Sequence, residues 1–131
     1  LSIHADGSLD PSASGMRNSV MKTGDVHRDD SIRFAQCIAD AFSGSLDVHN
    51  GTMLYKPLEG GVVSRKDTDL TDTTVYTYDT WSIMDCEKVT VVSDLCYVTC
   101  QKDVDTWCHE EGYRKAAGLY YRAIRNYYGL Q

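Results

Sequence analysis

Two segments with helical spacing of apolar residues flank a long stretch in which that spacing is absent. From Leu46 to Cys100 the prevailing residues are Thr, Val and Tyr, branched or aromatic side chains that pack well on a pleat and lose rotamer freedom on a helix. A chain patterned in this way builds a sheet from its middle and packs a helix from either side onto it, an α+β fold. At 131 residues it is long enough to bury a hydrophobic core as a single domain.

The leading helix is predicted over residues 30–43. Asp29, Asp30 and Ser31 offer caps, Ile32, Ala35, Ile38, Ala41 and Phe42 fall at helical spacing, and Gly44 stops the repeat. The closing helix is predicted over residues 105–129, capped by Asp103 or Asp105, with Tyr113, Ala117, Tyr120, Ile124 and Tyr127 on its core stripe. Tyr121 and Tyr128 widen the aromatic surface beyond one stripe, so they are expected to face solvent. Between the helices, Asn50-Gly51 suits a two-residue hairpin turn joining LDVH to TMLYK. Further strands are predicted over residues 61–66, 73–84 and 88–100, paired as an antiparallel sheet because their connections are short. Residues 1–25, rich in Gly, Ser and Asp and without sustained period, read as a flexible N-terminal arm ahead of a domain spanning residues 26–131.

Lys and Arg total 13 against 19 Asp and Glu, and the formal net charge of -6 opposes phosphate backbones and anionic membranes, so no nucleic-acid partner is expected. No apolar run reaches the ~20 residues that a transmembrane segment needs. Five cysteines, an N-glycosylation pattern at Asn50-Gly51-Thr52 and Leu1 in place of Met together indicate a secreted protein. In an oxidising compartment Cys37, Cys86, Cys96, Cys100 and Cys108 supply two bridges and one odd thiol. Five choices of the odd one, each with three pairings, leave fifteen arrangements. Cys37 is placed to staple the first helix to the sheet. The odd thiol is expected in the Cys86 to Cys108 cluster, either buried or linked to a partner chain.

Cys96, Cys100, Cys108 and His109 are zinc-ligand types, but their C-x3-C-x7-C-H spacing lacks a knuckle, and adjacent residues on a helix diverge by about 100°. No metal or other cofactor is expected. His4, His27, His49 and His109 are the available imidazoles, and His109 stands beside Glu110, Glu111 and Arg114, a set from which a ribonuclease-like site could be assembled. A solvated polar helix start accounts for the same residues, and no nucleophile elbow, phosphate loop or metalloprotease motif accompanies them.

A cysteine-bearing helix (FAQCIADAF), a cysteine-rich strand region (CEKVTVVSDLCYVTC) and a final helix opened by cysteine (WCHEEGYRKAAGLYYRAI) together resemble the small α/β sandwich domains of secreted fungal killer toxins and plant-pathogen effectors. The resemblance is architectural, covers about residues 29–129, and maps none of those families' functional residues onto a position here. It implies a secreted, disulfide-stapled virulence protein that binds a protein or cell-surface target. Tyr121, Arg122, Arg125 and Tyr128 would form the binding surface, since aromatic and Arg side chains dominate interface energetics. A small secreted hydrolase or ribonuclease using His109 with Glu110 or Glu111 is the alternative from a different class. A disulfide-linked subunit of a larger assembly is the third.

Overall fold

A computed structural model of the chain describes residues 1–10, 12–20, 26–43, 51–57, 63–71, 75–77 and 87–130, with residues 51–57, 63–71 and 75–77 described as backbone. Nine elements follow in order among these residues: β1 (Ser2–Asp6), β2 (Arg17–Val20), α1 (Arg28–Ser43), β3 (Gly51–Pro57), β4 (Val63–Thr71), β5 (Val75–Thr77), β6 (Val92–Tyr97), α2 (Gln101–Trp107) and α3 (Glu110–Tyr127). The fold is α+β. Its main sheet has four strands in the order β1-β6-β2-β5, and β3 and β4 form a separate antiparallel pair.

The main sheet is mixed, not antiparallel: β1 runs parallel to β6 and β2 parallel to β5, while β2 and β6 are antiparallel. Short connections were a poor guide because the strands that pair are distant in sequence, and parallel neighbours need a long crossover, here including α1. The segment expected to be an arm supplies β1 and β2. Arg17, Asn18, Ser19 and Val20 are all buried, so their ordering is offset by ladder hydrogen bonds and contacts with the core. Of the predicted hairpin, Asn50 lies outside the described residues, and β3 pairs with β4, matching Gly51 to Thr71 and Pro57 to Val63.

The helix predicted over residues 30–43 is α1, with Phe34, Ala35, Ile38, Ala41 and Phe42 buried. Ser31 is buried as well, and its hydroxyl accepts a hydrogen bond from the Thr90 N–H at 3.0 Å, pinning the helix start to the approach of β6. The predicted closing helix is two helices. His109 has extended backbone and caps α3, its Nδ1 accepting from the Gly112 N–H at 3.2 Å.

The core stripe of α3 is Gly112, Ala116, Leu119, Tyr120 and Ala123, while Tyr113 is 58% exposed. Bulk misled the sequence reading, because small residues decide how closely this helix approaches its neighbours. A Cβ on Gly112 would lie 2.7 Å from the carbonyl oxygens of Thr106 and Trp107. The core joins α1, α3 and one face of the sheet, with the Phe42 ring 5.7 Å from Trp107 and 4.9 Å from Tyr120. The Tyr120 hydroxyl is satisfied by Ser93 Oγ at 2.8 Å, and burial pushes its pKa upward.

Cys37, Cys96, Cys100 and Cys108 are free thiols, so no disulfide is shown among the described residues, and Cys86 lies outside them. Cys37 is half-buried on α1 beside Arg33 and Asp40 and close to Tyr127, facing α3 where a staple to the sheet was expected. Cys96 is buried, and burial, with the neighbouring Cys108 thiol next in weight, pushes its pKa up to about 12.

Candidate functional site

Three strands bring ionisable side chains into one row. His4 of β1 lies opposite Asp94 of β6, and Asp94 lies opposite Arg17 of β2. Cross-strand partners project from the same face, so imidazole, carboxylate and guanidinium stand side by side across the sheet. The register shift between His4 and Asp6 sets Ala5 against two residues of β6 and realigns Asp6 with Tyr97. This is the effect of a β-bulge, which re-aims side chains and is frequent beside active sites. It adds Asp6 and Tyr97 to the same face.

Asp94 is 4% exposed, and its Oδ2 accepts from Arg17 Nε at 3.1 Å and Nη2 at 3.0 Å. Arg17 Nη2 also pairs closely with Asp6 Oδ2, and the guanidinium carbon lies 5.9 Å from the centroid of the Tyr97 ring. Desolvation is the largest influence on Asp94 and raises its pKa. Arg17 pulls it back, the charge of Asp6 adds to the rise, and His4 opposes it. Two carboxyl groups thus share one guanidinium, Asp94 buried and Asp6 partly exposed, and a proton on Asp94 relieves the repulsion between them. His4, by contrast, is exposed, with Nε2 2.7 Å from Ser2 Oγ. The row therefore runs from an open imidazole to a buried carboxyl.

Asp103 holds the adjoining corner. It is buried, and its Oδ2 accepts from the N–H groups of Gly15 at 2.8 Å and Tyr97 at 2.9 Å, tying the approach to β2 to the end of β6. Among the described residues no three His, Cys, Asp or Glu side chains converge as a metal-binding group, and that includes Cys96, Cys100, Cys108 and His109.

The residues singled out from the sequence lie elsewhere. His109 is spent as a helix cap, Glu110 pairs with Arg114 at 2.7 Å on the open surface, and Glu111 is exposed. A helical neighbour pair of this kind needs no catalytic explanation. Tyr121 and Tyr128 are 63% and 68% exposed, as expected. Arg122 donates to the Ala41 carbonyl, and Arg125 lies over the Tyr121 ring at 5.9 Å. Of the acid cluster only His4 was among the candidates. Asp6, Arg17 and Asp94 were missed, although SIHAD alternates polar Ser2, His4 and Asp6 with Ile3 and Ala5 in the period of a strand.

No family model matches the chain, and no curated protein matches it in sequence. Solved structures do match. The CwlD amidase of Clostridioides difficile, in complex with the GerS lipoprotein, superposes with a TM-score of 0.70 at 16% identity over 97% of this chain and 52% of CwlD. The N-acetylmuramyl-L-alanine amidase Ami1 of Mycobacterium smegmatis gives 0.70 at 19% identity, covering 98% of this chain and 53% of Ami1. CwlV from Bacillus (Paenibacillus) polymyxa gives 0.56 at 11% identity, covering 98% of this chain and 56% of the catalytic domain.

The chain shares its fold with bacterial amidases.

It spans about half the length of each of these amidase structures. The amidase likeness overturns the resemblance to fungal killer toxins and plant-pathogen effectors, and with it the reading of a target-binding toxin. Helices flanking a cysteine-rich sheet are too common an arrangement to discriminate between families. In this chain the four described cysteines are unpaired, and the inconspicuous polar alternation of β1 lies on the sheet's ionisable face.

Proposed function

We propose that this chain carries a hydrolase site acting on an amide bond of the N-acetylmuramyl-L-alanine type, centred on Asp94. The row formed by His4, Asp94 and Arg17, in a fold shared with amidases of that substrate, supports this reading. Asp94 exchanges the proton, its raised pKa moving that exchange from the ordinary carboxyl range toward neutral pH. His4, at the open end of the row, is the second proton-transfer group and the one positioned to meet substrate. Arg17 holds the Asp94 carboxylate in orientation and limits how far its pKa rises. This is the small-hydrolase reading with a different set of residues from the His109 group.

Such a substrate places the protein outside the cytoplasm, consistent with secretion, and among the described residues no helix is long and apolar enough to cross a membrane. A protein partner is part of the proposal, since CwlD was solved bound to a lipoprotein.

The test is incubation of the full chain with purified muramyl peptides, measuring newly freed α-amino groups of L-alanine. The assay is run with and without a chelator. The wild type should release the amine and Asp94→Asn should fall by roughly a hundredfold or more, the scale of lost acid-base catalysis. Full activity in a folded Asp94→Asn protein, or no release by the wild type in either condition, would count against the assignment.

A further inference from the structure

Cys96 and Cys108 form a thiol pair that the ionisable row does not use. Cys96, on β6, is 2% exposed and belongs to the core cluster that also holds Trp107, Ala116 and Tyr120. Cys108 ends α2, directly after Trp107 and directly before the His109 cap of α3, and it is exposed. The two thiols hydrogen-bond to each other, so β6 meets the junction of α2 and α3 through sulfur. Both sides of that contact are held. Asp103 fastens the start of α2 to β6 through the Tyr97 N–H at 2.9 Å, and Gly112 lets α3 close against the Thr106 and Trp107 carbonyls at the end of α2.

Cys100 is out of reach of Cys108. It precedes α2 and Cys108 follows it, about 12 Å along the helix axis, whereas a bridge needs Cα atoms within about 7 Å. Cys37 lies beside Tyr127, at the far end of α3. Exposure also divides the roles within the pair. An attacking thiol must be open to its oxidant, while a resolving thiol need only reach the first sulfur. Cys108 meets solvent, and Cys96 is buried and held protonated, its pKa pushed up to about 12. A pair divided in this way reacts in one order.

We propose that Cys96 and Cys108 are a redox-modification site, at which a low-molecular-weight disulfide oxidises the pair to a reversible intrachain bridge. The Cys108 thiolate attacks one sulfur of the disulfide RSSR, forming a mixed disulfide and releasing RS⁻. The Cys96 thiol then gives up its proton and attacks the Cys108 sulfur, forming the Cys96 to Cys108 bond and displacing the second RS⁻. Two protein thiols are oxidised, one disulfide is reduced to two RSH, and these carry away the protons of the cysteines. Asp94 and Cys96 stand two residues apart on β6, so the bridge would anchor the strand that carries the proposed proton-exchanging group. The site does not rest on the hydrolase reading.

Incubation of the folded full chain with oxidised glutathione, followed by acid quenching, tryptic digestion and mass spectrometry, tests it. The wild type should yield the fragments 89–102 and 103–114 joined by a disulfide, with the bond placed at Cys96, and dithiothreitol should separate them. Cys100→Ser should leave the joined pair unchanged. Cys96→Ser should stop at the glutathione adduct of Cys108, and Cys108→Ser should leave Cys96 unmodified. An unmodified Cys108 in the wild type, a lasting adduct on it, a bond through Cys100, or glutathione on Cys96 in a folded Cys108→Ser chain would overturn the site. A bridge formed by a chain that cleaves no muramyl amide would defeat the hydrolase reading alone.

Discussion

Gly112→Ala and Gly118→Ala make the same chemical change on the same helix and are expected to move stability in opposite directions. At Gly118 a Cβ would meet nothing within 4 Å, so only helix propensity acts and the change stabilises by roughly 0.8–1 kcal/mol. Gly112 gains less from propensity because it sits in the first turn. Its new Cβ would stand 2.7 Å from two backbone oxygens and 2.9 Å from the Trp107 carbonyl carbon. None of these atoms can rotate aside, so α3 must draw back from α2 and disturb the packing of Ala116, Leu119 and Tyr120. Overpacking of this kind costs about 1–3 kcal/mol, leaving a net loss of about 0.5–2.5 kcal/mol after a first-turn propensity gain of roughly half a kcal/mol. For a chain of this length 1 kcal/mol corresponds to roughly 4 °C in the midpoint. Thermal unfolding followed by far-UV circular dichroism should therefore show Gly112→Ala lowered by about 2–10 °C and Gly118→Ala raised by about 3–4 °C. Two midpoints shifted upward together would refute the close approach of α3 to the end of α2.

Asp94 keeps its proton above the ordinary carboxyl value of 3.8, so the native state binds more protons than the unfolded chain as pH rises past that value. Stability should fall over that interval and level off above the raised pKa. Asp94→Asn should lose this limb in a pH series of unfolding midpoints. Removal of residues 1–25 should abolish cooperative unfolding, because it takes away β1 and the buried β2; a sharp transition in the truncated chain would show both strands to be dispensable. Cys37→Ser should cost less than about 1 kcal/mol, the range of a partly exposed site without a special role, and equally with or without reductant, because Cys37 is a free thiol. A loss confined to oxidising conditions would show that it forms a bridge.

The helices were legible because their signals are local: acidic and hydroxyl residues at the start and the apolar repeat lie within the sixteen residues of α1. The sheet was not, since its pairings join Ser2 to Val92 and Asn18 to Val75, and nothing in either partner's neighbourhood specifies the other. The same distance hid the site. His4, Arg17 and Asp94 are unremarkable singly and acquire chemistry only in register. The stripe of α3 failed for another reason. Tyrosines were ranked by bulk, whereas the packed face was marked by Gly112, Ala116 and Ala123, whose value lies in what they leave out.

Among the described residues β1 pairs only with β6 and lies at the edge of the main sheet, and its three central residues are exposed. Arg17 and Asp94, on the two inner strands, share a ladder buried between neighbours. Strands with few buried contacts open at a lower free energy than the global transition. Release of β1 would carry His4 and Asp6 away while leaving the Arg17–Asp94 pair seated in an intact core. On such a release the imidazole half of the row would detach and the carboxyl half would stay. Amide hydrogen exchange should resolve the two halves by their different protection.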